Sequence, residues 1–98
     1  MTISKKQNGT GLEIALGGRL DTTTAPELEA ELNKSLGDTE NLTFDFTELE
    51  YISSAGLRVL LAAQKQMNKK GGMKVIHVNE AIMEIFEVTG FTDILTIE

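Results

Sequence analysis

The sequence predicts an α/β fold: a mainly parallel β-sheet with one antiparallel edge strand and its helices mainly on one face. Three observations carry this expectation. Two strand-like runs flank the turn cluster Asn8-Gly9-Thr10-Gly11, whose Asn-Gly pair is a hairpin signal. Strand and helix patterns then alternate, giving the order β-β-α-β-α-β-α-β. Within Leu42–Phe46, Leu42, Phe44 and Phe46 share one side of a strand while Thr43, Asp45 and Thr47 share the other, as in a sheet covered on one face only. Right-handed crossovers that advance in one direction keep their helices on the same side of the sheet. A chain of 98 residues supports one domain, residues 1–98.

Each element has its own signals. Ile3–Gln7 reads as a short strand, and Leu12–Leu16 as a half-buried one whose end is loosened by Gly17-Gly18, a candidate bulge. Thr24-Ala25-Pro26-Glu27 fits a capping box: Thr24 caps, Glu27 reaches back, and Pro26 sits in the first turn where its missing N–H costs nothing. Leu28, Leu32 and Leu36 share a helix face, early glutamates oppose the dipole, and Gly37 is placed to terminate. Leu42–Phe46 is the next strand. The helix after Ser53-Ser54 carries Leu57, Leu60, Leu61, Gln64 and Met67, and Lys69-Lys70-Gly71-Gly72 stops it. Met73–Val78 reads as a strand. Asn79 caps a helix running through Glu87, with Ile82, Ile85 and Phe86 inward, and Gly90-Phe91 suits a left-handed stop with its apolar contact. Ile94–Ile97 is expected to form a last short strand. Met67 and Met73 are assigned to packing, whereas Met83 lies off the apolar face of its helix.

Composition narrows the function classes. The net charge is −6, from 15 acidic and 9 basic residues, which argues against a nucleic-acid-binding face. Cysteine is absent, so disulfides, thiolate metal sites and cysteine nucleophiles are excluded. No apolar run approaches a membrane span, and Met1–Lys6 does not lead into a signal-peptide core, so a cytoplasmic protein without membrane insertion is expected. No phosphate-binding glycine loop or Gly-x-Ser-x-Gly elbow occurs. His77, the single histidine, has no motif partner and is assigned a packing or surface role on a strand. No catalytic residue, metal site or cofactor is expected, and a monomer is.

The stretch Ile52-Ser53-Ser54-Ala55-Gly56-Leu57 places two hydroxyls where a strand hands over to a helix. A hydroxyl there can be a cap, an anion site or a phosphorylation switch. Ser54 is expected to act mainly as the cap, its oxygen turned inward. Gly56 has no Cβ, so a partner surface is expected to approach the first turn closely there. Asp21 and Asp45 both fall near the C-terminal ends of strands, where open α/β folds place their sites. They read either as a loop cap and a wet-face carboxylate, or as the border of the surface around Ser54.

Three pieces together resemble the STAS domains, in particular the small bacterial anti-sigma-factor antagonists. Ser53-Ser54-Ala55-Gly56-Leu57 is similar to the family's Asp-Ser-(Ser/Thr)-Gly-Leu. Gly18-Arg19-Leu20-Asp21 followed by Thr24-Ala25-Pro26-Glu27-Leu28 is similar to its first strand-to-helix turn, and Val88-Thr89-Gly90-Phe91 to the end of its closing helix. The resemblance covers nearly the whole chain. It implies a single STAS-like domain and a non-enzymatic partner-switching module. Such a module binds an anti-sigma factor of the serine-kinase type and so frees a sigma factor to regulate transcription. It implies a contact surface formed by Asp21, Thr24, Ser53, Ser54, Ala55, Gly56 and Arg58. One departure matters. Aligned on Gly56-Leu57, the position the family phosphorylates is Ala55, which has no oxygen to modify; Ser54 is the nearest hydroxyl. Two other functions remain open: a stand-alone STAS subunit of a transport or stress-sensing complex, and a small hydrolase using Ser54.

Overall fold

The computed structural model describes residues 1–98. Strand β1 (Thr2–Asn8) turns through Gly9-Thr10 into β2 (Gly11–Leu20). Helix α1 (Ala25–Ser35) follows and ends in a short 3-10 turn, Leu36–Asp38. Strand β3 (Asn41–Ile52) leads into helix α2 (Ser54–Met67), then β4 (Met73–Ile76) into helix α3 (Glu80–Thr89). The sheet order is β1-β2-β3-β4. β1 runs antiparallel to β2, and β2, β3 and β4 are parallel to one another. The fold class is the expected one.

One apolar cluster of 23 buried residues joins the inner face of the sheet to all three helices. Ile14, Phe44, Phe46, Leu28, Leu60 and Phe86 are fully buried in it. The other face, with Glu13, Ala15, Thr43, Asp45 and Ile76 only half-buried and Lys74 exposed, carries no helix. Met67 and Met73 are core residues, and Met83 is half-buried.

β3 is longer than its sequence pattern suggested because it carries two bulges. Ala15 opposes Asp45 but Gly17 opposes Glu48; Gly18 opposes Leu49 but Arg19 opposes Tyr51. Each step adds a residue to β3: the first shifts the phase, so Leu49 is buried where strict alternation would turn it outward, and the second restores it, so Ile52 faces the core in phase with Leu42, Phe44 and Phe46. Gly17-Gly18, expected to loosen the end of the strand as a bulge, lie opposite this irregularity, but the added residues are on β3 and β2 runs on to Leu20.

Four local expectations are corrected. β4 ends at Ile76 rather than Val78, because His77 takes φ 59°, a left-handed conformation that stops a strand. His77 is therefore an exposed post-strand residue. Ile94–Ile97 forms no strand: a second 3-10 turn (Phe91–Asp93) delays it, and only Ile97 bridges to Val75. Gly37 sits inside the first 3-10 turn and does not stop α1 with a left-handed residue. The carbonyls there are met from elsewhere: the Lys70 ammonium donates to Leu36 O and, at 3.1 Å, to Gly37 O. Gly90 does supply the left-handed stop, with φ 80°, and Phe91 stacks on Phe86 with ring centroids 6.3 Å apart.

Candidate functional site

Two connections leave the C-terminal ends of neighbouring parallel strands: the turn from β2 to α1 and the turn from β3 to α2. The Ser53 amide donates to Leu20 O at 2.9 Å and ties them together. This is the end of the sheet at which open α/β folds build their sites.

Asp21 organises the first turn. Its Oδ1 accepts from the Thr23 amide (3.0 Å), the Thr24 amide (3.2 Å) and the Thr23 hydroxyl (2.8 Å). The Thr23 hydroxyl is the main reason that its pKa is held at about 2; the two amides add to it and partial burial opposes it. The capping box is not formed. The Thr24 hydroxyl accepts from the Asp21 amide at 2.8 Å and donates to Arg19 O at 2.8 Å, so it faces back into the turn and makes no cap bond to α1. The Glu27 amide, which the Thr24 side chain was expected to serve, donates instead to the Thr24 carbonyl at 3.0 Å, while the Asp21 carboxylate holds the amides of Thr23 and Thr24. Proline in the first turn of α1 is as expected.

In the second turn the cap is Ser53, not Ser54. Ser53 is extended (φ −101°, ψ 176°) and its Oγ accepts from the Gly56 amide at 3.4 Å. Ser54 is the first helical residue, exposed, and its hydroxyl bonds nothing in the chain. A cap must keep non-helical dihedrals, and of the two serines only Ser53 does. The amides of Ser54 and Ala55 have no acceptor in the chain. Ala55 is half-buried and Arg58 exposed; with Thr22, Ala25 and Pro26 they line a shallow hollow of about 250 Å³ between the starts of α1 and α2.

Gly56 is placed differently from the expectation. It is buried, and a Cβ on it would lie 2.7 Å from Leu20 Cγ and 2.8 Å from Ile52 Cγ1. The close approach that needs glycine is that of α2 to its own sheet. Of the seven residues assigned to the surface, the structure brings Asp21, Thr24, Ser53, Ser54, Ala55 and Arg58 to one ledge and turns Gly56 away from it.

Asp45 does not border this ledge. Extended chain separates it from Ser53 by on the order of 20 Å. It lies on the open face, where Oδ1 accepts from the Thr47 hydroxyl (2.6 Å), the Thr47 amide (2.9 Å) and His77 Nδ1 (3.0 Å). The Thr47 hydroxyl chiefly lowers the Asp45 pKa. The same Nδ1 stands 3.0 Å from Thr47 Oγ1. A nucleophile relay needs the acid and the nucleophile on opposite ring nitrogens, so this trio is not arranged as one. Nor does Ser54 bond to His77, the histidine a hydrolase reading would need. No group of three His, Asp or Glu converges on one point, and no helix is long and apolar enough to cross a membrane.

Two neighbours of the ledge drew no functional expectation of their own. Arg19 and Tyr51 are paired across β2 and β3 and project to the open side, the guanidinium 4.2 Å from the ring centroid. The bulges hid this pairing, because simple alternation does not place residues 19 and 51 opposite each other.

Comparison with known proteins gives a consistent picture. The STAS domain family profile matches residues 2–98. The anti-sigma-B factor antagonist of Bacillus subtilis (strain 168) is 28% identical over 98 residues, covering 99% of this chain and 90% of that protein. A Bordetella bronchiseptica protein named as the anti-sigma factor antagonist BtrV is 37% identical over 90 residues, covering 89% of this chain and 78% of its own length. The structure of the anti-sigma factor antagonist SpoIIAA in its unphosphorylated form superposes with a TM-score of 0.85 at 14% identity, over 99% of this chain and 88% of that one.

Proposed function

Since this chain belongs to the STAS domain family, we propose that it is an anti-sigma-factor antagonist, a non-enzymatic module acting as a monomer in the cytoplasm. It binds an anti-sigma factor of the serine-kinase type through the ledge built by the Asp21 turn and the first turn of α2, and so releases a sigma factor. The observation that carries the reading is the ledge itself: two loops fixed to each other by the Ser53–Leu20 bond, presenting Ser54 and Arg58 to solvent. The names of its relatives supply the partner class.

The switch follows from the cap. Because Ser53 caps, Ser54 keeps a free hydroxyl beside two unsatisfied amides, where a phosphate dianion is favoured by the helix dipole. Ala55 offers no oxygen, so Ser54 is the position at which a kinase partner would turn binding off. This replaces the expectation of a capping Ser54 with its oxygen turned inward.

The test adds the chain to a purified complex of the anti-sigma factor and its sigma factor and follows release by sizing chromatography. Release by the wild type, lost after incubation with kinase and ATP but kept in Ser54→Ala, is the expected result. No complex with any anti-sigma factor of the organism would overturn the function. Phosphate absent from Ser54 in a chain that still binds would overturn the switch.

A further inference from the structure

We propose that Arg19 anchors the partner by gripping one of its carboxylates, with Tyr51 and Asp21 as the residues that hold the guanidinium in place. The proposal rests on the function just stated and concerns which residues select the partner.

Arg19 stands immediately before the ledge, one residue from Leu20, whose carbonyl receives the Ser53 amide. Its side chain is 61% exposed, yet two contacts fix it. The guanidinium lies over the Tyr51 ring, 4.2 Å from the centroid, and Nε is 3.6 Å from Asp21 Oδ2. The Asp21 carboxylate is itself anchored through its other oxygen by Thr23 and Thr24. The underside and the Nε edge of the guanidinium are therefore engaged. Its two terminal amino groups donate to nothing in the chain, and the side chain is open to solvent. A planar fork of donors held in this way matches a carboxylate in bidentate geometry, with its rotamer entropy largely spent before binding. Tyr51 is one of only three large apolar side chains left exposed, and Arg and Tyr are the residue types that dominate interface energetics. The surroundings sharpen the selection. Glu48 and Glu50 are exposed on the same stretch of β3, so a partner carboxylate finds attraction at Arg19 and repulsion one step along the strand.

The experiment is calorimetric titration of the wild type and variants against the purified anti-sigma factor that passes the release assay. Arg19→Ala is expected to weaken binding about 10- to 100-fold. Arg19→Lys is expected to lose nearly as much, because an ammonium lacks the fork and the stacking plane. Tyr51→Phe, which keeps the ring, is expected to bind within about two-fold of wild type, and Tyr51→Ala to lose roughly five-fold. Unfolding midpoints should stay within about 3 °C of wild type, since these are surface changes. A double-mutant cycle against each exposed Asp and Glu of the anti-sigma factor should find one carboxylate whose removal abolishes the effect of Arg19→Ala. Equal affinity of wild type and Arg19→Ala would overturn the inference while leaving the function standing. Full rescue by Lys, or a loss that couples to no partner carboxylate, would overturn the fork. A wild type that binds no anti-sigma factor would overturn both.

Discussion

At the scale of single residues, Gly56 shows how a motif glycine can be read for the wrong surface. It looks like an invitation to a partner, but its missing Cβ makes room for Leu20 and Ile52. Gly56→Ala is expected to destabilise the protein by about 1–3 kcal/mol through overpacking, and Gly56→Glu by more, because a charge is forced against the core. Urea denaturation checks this; a Gly56→Glu variant with a wild-type midpoint would return the residue to the surface. Asp21 gives the second prediction. Its folded pKa of about 2 lies below the ordinary 3.8. The ionised carboxylate therefore contributes stability that is present in full above about pH 4 and is lost as the pH falls through about 2. Stability should fall with pH across that window, and Asp21→Asn should flatten that part of the profile in chemical-denaturation curves taken from pH 5 to pH 2. Of the site residues, Ser53, Ser54 and Asp21 were visible as hydroxyls and a carboxylate at strand ends. Which serine capped, and that the Thr24 hydroxyl would face back into the turn instead of capping α1, was not visible. Those choices depend on dihedrals at a single residue, which neighbouring side chains decide.

At the scale of elements, the sheet and helices were legible wherever periodicity ran uninterrupted. Leu12–Leu16, Leu42–Phe46 and the apolar face of α2 are of this kind. Legibility failed where backbone geometry overrides pattern: at the two bulges of β3, at the left-handed His77, and after Gly90, where a 3-10 turn uses the residues that would have begun a strand. The C-terminal segment is consequently held to the sheet by two backbone bonds, Val75 N to Thr96 O and Glu98 N to Val75 O, both 2.9 Å, with Leu95 buried above them. Such a segment should open locally well below the global unfolding free energy. The Glu98 amide is expected to exchange with solvent at least about 100-fold faster than those of Phe44 and Phe46 in the centre of the sheet. Hydrogen exchange followed by NMR checks this, and equal protection would mean that the segment behaves as a full fifth strand.

At the scale of the whole molecule, one layer of helices covers one face of a four-stranded sheet. The topology that hides the core also collects the starts of α1 and α2 at one end. That arrangement was readable from element order alone, since parallel strands with same-sided crossovers must deliver their loops to a common edge. What the order could not reveal was how firmly the loops are held together. The Ser53–Leu20 bond makes the turn after β2 and the turn after β3 parts of one body continuous with the sheet. A surface already assembled in this way adds no loop-ordering step to complex formation. Encounter with the partner should therefore be a single kinetic phase, linear in partner concentration, with substitutions on the ledge acting mainly on the lifetime of the complex and little on its formation rate. Stopped-flow mixing reads this directly: a formation rate that saturates at high partner concentration would reveal a rearrangement that the bond between the two loops should have made unnecessary.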